Sequence, residues 1–200
     1  MVESADGAVL DEAAREGTRE GTDHATGTGT VTIGVAIPVP APHAEELQRW
    51  RADFGDPLAW AIPAHVTLVP PTPVTVDALG QVRAHLSACA AAVEPFTMCL
   101  RGTSTFRPVS PVVYVQVADG AGQCAQLERR VRSGVLQSRR RFPYHPHVTV
   151  AHQLDDVALD RASATLCDYE AAFGVSAVQL YRHGGDGVWR PVAEFPLGSA

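Results

Sequence analysis

The sequence predicts a protein of mixed α and β structure, built as a bilobal, pseudo-two-fold duplication of a β-α-β-α-β unit. Three observations predict this fold class. The hydrophobic pattern alternates between the period of a strand and that of a helix along residues 31–196. The same five elements recur at one offset of 82 residues, and a four-residue motif of histidine and threonine recurs with them.

The first copy of the unit occupies about residues 31–101. Its opening segment, VTIGVAIPV, alternates apolar residues with small or polar ones, which predicts a half-buried strand. Pro42 opens the helix that follows, because proline fits the first turn, and Thr75 can cap the second helix. The predicted elements are a strand over 31–37, a helix over 43–54, a strand over 65–69, a helix over 75–90 and a strand over 96–101.

The second copy occupies about residues 112–183, and a closing strand over about 188–196 pairs with its end across the turn at 183–187. Asp155 or Asp156 can cap its second helix. The predicted elements are a strand over 112–117, a helix over 123–135, a strand over 147–151, a helix running to about residue 172 and a strand over 175–182.

Charge separates a tail from the folded part. Residues 1–30 carry seven acidic residues and two arginines and are rich in Gly, Thr and Ala, so we expect a disordered acidic tail. We expect residues 31–200 to form the bilobal domain, with lobes over about 31–101 and 112–183. This part holds 15 acidic residues and 14 arginines, a near-neutral balance that argues against a surface for duplex DNA.

Composition excludes several classes of chemistry. All 16 basic residues are arginine, which rules out Schiff bases, a P-loop lysine and ligases that carry AMP on lysine. The four cysteines form no C-x-x-C pair, which indicates free thiols in a reducing compartment. No apolar run of 18 residues and no signal segment stand out. We expect a cytoplasmic monomer with no membrane partner and no cofactor, and the alanine- and arginine-rich composition suggests a bacterial source.

The repeated motif carries the chemistry. It reads HVTL at 65–68 and HVTV at 147–150, and its histidine and threonine share one face of a strand because side chains alternate. Chance would give a His-apolar-Thr-apolar match about 0.1 times in this composition. We therefore select His65, Thr67, His147 and Thr149 as candidate catalytic residues, brought together across one groove by the two-fold symmetry.

Such a set suits displacement at phosphorus. One histidine can take a proton from the nucleophile while the other protonates the leaving oxygen, and the threonine hydroxyls can bond the non-bridging oxygens. This reaction needs no metal. An alternative is a zinc hydrolase in which His65, His145 and His147 bind the ion, although no second-shell carboxylate or helix motif accompanies these histidines.

On these motifs the chain resembles the two-histidine (2H) phosphoesterases, in the branch labelled 2′-5′ RNA ligase-like. The opening VAIPVP, the lead-in FPYHPH at 142–147 and the closing QLYRHGGDGVWRPVAEFPL also match, so that the resemblance covers about residues 31–197. It implies an α+β fold whose mostly antiparallel sheets form a central groove with helices outside.

The resemblance also implies metal-independent cleavage of RNA 2′,3′-cyclic phosphate ends, nucleoside cyclic phosphates or 2′-5′ linkages. By this likeness His65 would be the acid toward the leaving ribose oxygen and His147 the base for water, with the threonines on phosphate oxygens. The symmetry also allows the opposite assignment of acid and base. The partner would be an RNA end or small nucleotide.

Three further residues are candidates for substrate binding. Tyr144 and His152 could contact base or ribose, and Arg182 could contact phosphate. A core aromatic, a surface histidine and a structural arginine are the competing interpretations. A non-catalytic RNA- or nucleotide-binding module of the same fold is the alternative to the enzyme.

Overall fold

The computed structural model describes residues 29–198, so the predicted tail lies outside the described residues apart from its last two positions. Eight strands and four α-helices follow one another along this part of the chain. They are β1 (Thr30–Pro38), α1 (His43–Phe54), β2 (His65–Thr75), α2 (Leu79–Ala91), β3 (Phe96–Thr105), β4 (Val112–Asp119), α3 (Ala121–Val131), β5 (His147–His152), α4 (Asp156–Thr165), β6 (Glu170–Val175), β7 (Ala177–His183) and β8 (Trp189–Pro196). Short 3-10 turns precede α2 and follow α3.

Local sequence explains where the helices begin and end. The Asp155 side chain accepts a hydrogen bond from the Ala158 amide and caps α4, as predicted. Gly55 ends α1 at a φ of 97°, where glycine avoids the clash that a β-carbon causes. Thr75 makes no side-chain cap and precedes a 3-10 turn, so α2 starts later than predicted. Within residues 29–198 no helix is long and apolar enough to cross a membrane.

The strands form two four-stranded antiparallel sheets, in the orders β2-β1-β7-β8 and β5-β4-β3-β6. Each sheet therefore takes strands from both sequence repeats. β3 belongs to the first repeat and pairs with β4, whereas β7 belongs to the second and pairs with β1. The predicted α+β class with antiparallel sheets is confirmed, and the halves exchange β3 and β7.

Two predicted elements differ from the structure. The helix expected to run from 155 or 156 to about 172 ends at Thr165, and β6 follows it. Alternate residues of β6 are buried because the strand pairs with β3, and this period of two is the signal that the helix prediction missed. β1 is not half-buried, because every residue from Ile33 to Ile37 is buried from both faces.

The pairing register shows that the offset of 82 residues between the repeats does not hold for their first strands. In the first sheet Ala36 faces Thr67, and in the second Tyr114 faces Thr149. The threonines are 82 positions apart, but Ala36 and Tyr114 are only 78 apart, because the connections between the strands differ in length. The register thus makes Tyr114 the counterpart of Ala36, and by the same shift Val112 the counterpart of Gly34.

Candidate active site

Both motifs lie on edge strands that meet at the centre of the molecule. β2 and β5 are the edge strands of their sheets, and residues of the two strands approach within 8 Å between α-carbons. Each strand carries one extra residue just after the motif threonine, Leu68 in β2 and Val150 in β5. Thr67 and Val69 pair with adjacent residues of β1, as Thr149 and Ala151 do with β4. Such bulges are common beside active sites, where they redirect side chains.

The two histidines are held in the same way. Nδ1 of His65 lies 2.6 Å from the Pro63 carbonyl oxygen, and Nδ1 of His147 lies 2.7 Å from the His145 carbonyl oxygen. Because a carbonyl only accepts, each Nδ1 carries the proton and donates it. In the neutral ring Nε2 then keeps its lone pair, so both imidazoles have the same tautomer and the same nitrogen available for proton transfer.

Burial lowers the pKa of both rings. Burial is the main reason that the pKa of His65 falls below its ordinary value, and the charge of Arg51 lowers it further. Burial lowers the pKa of His147 to about 4, and the charges of His145 and His65 act in the same direction. The charge of His65 is the smallest of the causes that lower the pKa of His147, so the two motif histidines lie within electrostatic range of each other.

A cavity adjoins His65. Space of about 330 Å³, part of it open to solvent, lies between the strands of the first sheet and the loop before β2. Its walls are mostly apolar or aromatic, and His65 and Thr67 are its polar edge. The lining residues are Gly34, Val35, Ala36, Ile62, Pro63, His65, Thr67, Val69, Tyr181 and Trp189.

A second space of about 280 Å³, part of it open to solvent, adjoins His147 between the two sheets. Thr67 lines this cavity as well as the first, so the two spaces meet at that threonine. The other lining residues are more polar and include a guanidinium; they are Leu68, Pro70, Arg132, Tyr144, His145 and His147. The arrangement offers a phosphate group a place beside Thr67 with one imidazole on either side.

Each motif histidine also contacts one aromatic ring of an exchanged strand or its end. The ring centroid of Tyr181 lies 6.4 Å from that of His65, and the centroid of Phe106 lies 4.9 Å from that of His147. The Tyr181 hydroxyl donates to Oε1 of Gln179 at 2.7 Å. Tyr114 lies on the His147 side as well, 5.0 Å from the histidine ring and 4.4 Å from Phe106.

A buried ion pair supports the first histidine. The Arg51 guanidinium donates to Oδ2 of Asp56 at 2.7 and 3.0 Å, and to the Ile62 carbonyl at 3.3 Å. The Leu58 amide donates to the other carboxylate oxygen at 2.9 Å. Because both charged groups are almost fully buried, the pair fixes the 56–64 loop that brings the Pro63 carbonyl to His65.

A second buried carboxylate supports the other side. Glu128 of α3 is fully buried, and Arg140 from the loop before β5 contacts both of its oxygens. The Arg132 guanidinium lies 3.6 Å from the same carboxylate and lines the cavity beside His147. This network fastens the 137–146 loop, which carries Tyr144 and His145, to the helix.

The remaining predicted residues are placed less centrally. Tyr144 lines the second cavity, but its hydroxyl donates to the Thr67 carbonyl at 3.0 Å and so connects the two sheets. Thr149 is partly exposed and faces Tyr114 across the strand pair. His152 ends β5 opposite Val112, and it lines neither cavity.

Arg182 is exposed on β7, next in sequence to Tyr181, and it lines neither cavity. The alternative zinc site is not formed, because within residues 29–198 no three His, Cys, Asp or Glu side chains are grouped to hold a metal ion. The aromatic residues and the arginine that lie beside the motif histidines in the structure were not selected as site residues from the sequence. They are Phe106, Tyr114, Arg132, Tyr181 and Trp189.

Comparison with known proteins identifies the family. The model of the 2′-5′ RNA ligase superfamily matches residues 39–187, which include both motifs. The chain belongs to this superfamily. The predicted resemblance to the 2H phosphoesterases is thereby confirmed, and phosphoesterase activity is the function that the superfamily and its named relatives support.

Two named bacterial proteins are similar to this superfamily member. One is a "Putative phosphoesterase" of Bacillus licheniformis, 31% identical over 146 residues, covering 72% of this chain and 86% of the relative. The other, from Oceanobacillus iheyensis, has the same description and is 29% identical over 100 residues, covering 50% of this chain and 58% of the relative.

Solved structures share the fold. Escherichia coli LigT complexed with NADP+ superposes with a TM-score of 0.67 at 21% identity, covering 85% of this chain and 99% of LigT. LigT complexed with 3′-AMP gives a TM-score of 0.63 at 20% identity, covering 84% and 99%. At this level of identity the superpositions establish the fold that the 2′-5′ RNA ligase superfamily member shares with LigT.

Proposed function

We propose that this chain is a metal-independent phosphodiesterase that acts on RNA 2′,3′-cyclic phosphate ends, nucleoside cyclic phosphates or 2′-5′ linkages. The observation that carries the proposal is the matched pair of histidines, each holding its Nδ1 proton on a carbonyl two residues upstream, with Thr67 between their cavities. A cytoplasmic location and a monomeric state remain predictions from the sequence.

The two histidines divide the proton transfers. With a pKa of about 4, His147 is neutral at pH 7 and its Nε2 can take a proton from water as the water oxygen bonds to phosphorus. The bond from phosphorus to the ribose oxygen breaks, and Nε2 of a protonated His65 gives that oxygen a proton. The negative charge of the bound phosphodiester favours this protonated form of His65.

The threonines would stabilise the reacting phosphate. Thr67 borders both cavities, and its hydroxyl can donate to a non-bridging oxygen as negative charge builds there. Thr149 is proposed for the equivalent contact from β5. We propose a nucleotide as the bound partner, in keeping with the nucleotides named in the LigT complexes.

Hydrolysis in the presence of EDTA tests the proposal. The four nucleoside 2′,3′-cyclic monophosphates are incubated with wild type, His65→Ala and His147→Ala in excess EDTA, and phosphorus NMR identifies the product. We expect each substitution to reduce turnover by about 10² or more, since each removes a proton-transfer group.

His43→Ala is the matched histidine control, because His43 lies at the start of α1 and lines neither cavity. Turnover that survives in both motif variants would contradict the acid–base pair. Nucleotide binding without turnover of cyclic or 2′-5′ linked substrates would favour the alternative binding module.

A further inference from the structure

The two motif histidines share a carbonyl contact, but the residues that supply the carbonyl differ. The Pro63 carbonyl oxygen holds Nδ1 of His65 at 2.6 Å, and the His145 carbonyl oxygen holds Nδ1 of His147 at 2.7 Å. Pro63 and His145 are therefore counterparts, separated by the same 82 positions as the motifs. The proline side chain has no polar atom, whereas the histidine adds a third imidazole beside the second motif.

The His145 ring lies beside the His147 ring and packs against the same aromatic residues. The two imidazole centroids are 6.2 Å apart, and the planes are inclined by 26°. Phe106 meets both rings nearly at right angles, at centroid distances of 5.9 Å from His145 and 4.9 Å from His147. Tyr114 lies 5.3 and 5.0 Å from the same two centroids. The shared contacts therefore fix the orientation of one imidazole relative to the other.

One nitrogen of the His145 ring is buried without a hydrogen bond. Its Nε2 is shielded from solvent, and no group within residues 29–198 forms a hydrogen bond with it. Buried polar atoms without a partner are costly and rare, and they often belong to functional sites. The His145 ring also lines the space beside His147, together with Thr67 and Arg132. A small polar molecule in this space can supply the hydrogen bond that the protein does not.

The proposed reaction needs such a group on the side of the base. The ribose oxygen that leaves is already bonded to phosphorus, so the substrate itself holds it beside the acid. The attacking water has no such bond and must be held beside the base before it can react. A water molecule has two protons, and the base takes only one of them. Burial lowers the pKa of His145 below its ordinary value, so this ring is neutral at pH 7 and one of its nitrogens keeps a lone pair.

We propose that His145 positions the attacking water: its Nε2 accepts a hydrogen bond from one water proton while Nε2 of His147 takes the other. The water oxygen bonds to phosphorus, the bond from phosphorus to the ribose oxygen breaks, and His65 gives that oxygen a proton. The second water proton stays on the new phosphate oxygen. Because only the His147 side has this additional imidazole, water attacks from that side, and a proline is sufficient beside the acid. This inference rests on the proposed function and adds a positioning residue to the same site.

The variant His145→Phe tests the inference, because it keeps a ring against Phe106 and Tyr114 and removes the ring nitrogens. Hydrolysis of adenosine 2′,3′-cyclic phosphate is measured for wild type, His145→Phe and His43→Phe. We expect His145→Phe to lower kcat about tenfold or more and to change KM less than about twofold, since the imidazole holds water and not the nucleotide. His43→Phe is the matched control, because His43 also packs on an aromatic ring, 6.1 Å from Phe173, and lines neither cavity.

Competition between nucleophiles separates the positioning of water from a structural role. Methanol has one hydroxyl proton, which the base takes, and none for a second acceptor. The cyclic phosphate is opened in buffer that contains methanol, and phosphorus NMR gives the initial ratio of phosphomonoester to methyl phosphodiester. We expect wild type to favour water and His145→Phe to lower this ratio about tenfold. If His145 only supports the fold, both products decrease together and the ratio is unchanged, which overturns the inference.

Two further measurements test the role of the nitrogen itself. His145→Gln keeps a hydrogen-bond acceptor in the side chain, and we expect it to retain more of kcat than His145→Phe. Nitrogen-15 NMR determines the tautomer: we expect a proton on Nδ1 of His145 and a lone pair on Nε2 at pH 7, and a protonated Nε2 overturns the inference. Circular dichroism checks that each variant is folded, and His145→Ala replaces His145→Phe if the latter does not fold.

Failure of this inference is distinguishable from failure of the proposed function. If His145→Phe is as active as wild type while His147→Ala is inactive, the inference is wrong and the acid–base pair stands. If wild type turns over no cyclic or 2′-5′ linked phosphodiester, the proposed function is wrong and the inference fails with it.

Discussion

The two sides of the groove share their backbone geometry and differ in what surrounds it. His65 and His147 lie on edge strands with the same bulge and hold the same tautomer through the same carbonyl contact. The cavity beside His65 is mostly apolar, whereas the cavity beside His147 is more polar and two aromatic rings pack directly on that imidazole. The two equivalent histidines can supply the acid and the base. Their different surroundings can determine the orientation in which the substrate binds.

The supports behind the two histidines also differ. Arg51 and Asp56 form a compact pair within the first repeat and hold the loop that leads into β2. Glu128 instead forms ion pairs with Arg132 and Arg140, and these pairs fix the loop that leads into β5. If the two buried ion-pair groups are equivalent, breaking one of them should displace the histidine that it supports and leave the other histidine in place.

The largest expected effect comes from breaking the first support. Asp56→Ala leaves the Arg51 charge buried without its carboxylate, so we expect the free energy of unfolding to fall by about 3–5 kcal/mol. Urea unfolding measures this loss. Asp56→Asn keeps the size of the side chain and one hydrogen-bond acceptor, and it should cost less.

The matched change on the other side is Glu128→Ala, with Glu128→Gln as its control. We expect a loss of similar size, about 3–5 kcal/mol, because two guanidiniums lose a buried carboxylate. A loss below about 1 kcal/mol in only one of the two alanine variants would show that the two supports are not equivalent.

The pH dependence of kcat/KM comes next. This ratio reports the free enzyme, in which the pKa of His147 is about 4 and burial holds that of His65 below its ordinary value. Activity requires neutral His147 and protonated His65, so kcat/KM should be largest between about pH 4 and the lowered pKa of His65. It should fall by up to about a hundredfold from pH 6 to 8. A ratio that rises over this range would reverse the assignment of acid and base.

A smaller effect concerns stability at acid pH. His147 has a folded pKa of about 4 against its ordinary value of 6.5, so below pH 6.5 the unfolded chain binds a proton that the folded chain excludes. Stability from this group is present above pH 6.5 and is lost as the pH falls toward 4, with about 2 kcal/mol lost between pH 7 and 5. Urea unfolding at both pH values, in wild type and in His147→Gln, isolates this contribution. Equal losses in the two proteins would contradict it.

The smallest expected effect comes from a substitution that makes the aromatic ring beside His65 resemble the one beside His147. Tyr181→Phe removes the hydroxyl that donates to Gln179 and leaves a ring like that of Phe106. We expect a loss of about 1 kcal/mol in unfolding free energy and little change in kcat, since the ring rather than the hydroxyl contacts the histidine. A tenfold fall in kcat in a folded variant would give the hydroxyl a part in the chemistry.

The sequence predicted what depends on local pattern. The strand and helix periods, the Asp155 cap and the two motifs all follow from residues near one another in the chain. The family assignment followed from the same motifs, and the matched family model confirms it. β6 was missed because its alternation is short and follows a well-capped helix.

The rest of the site depends on long-range pairing. Tyr181 is 116 positions from His65, and it reaches that ring only because β7 joins the first sheet. Phe106 reaches His147 from the end of β3, through the equivalent exchange. An offset of 82 residues cannot reveal that Ala36 and Tyr114 correspond, because that match appears only once the register is known.

The exchange of β3 and β7 between the halves has a consequence for how the chain is made. β1 and β2 are synthesised early, yet their sheet also needs β7, which ends at His183. A growing chain emerges from the ribosome in order, so the strand that brings Tyr181 to His65 arrives only after the residues between them, more than a hundred positions of chain, have been translated. The first motif is therefore translated well before β7, the strand that its side of the groove needs in order to close.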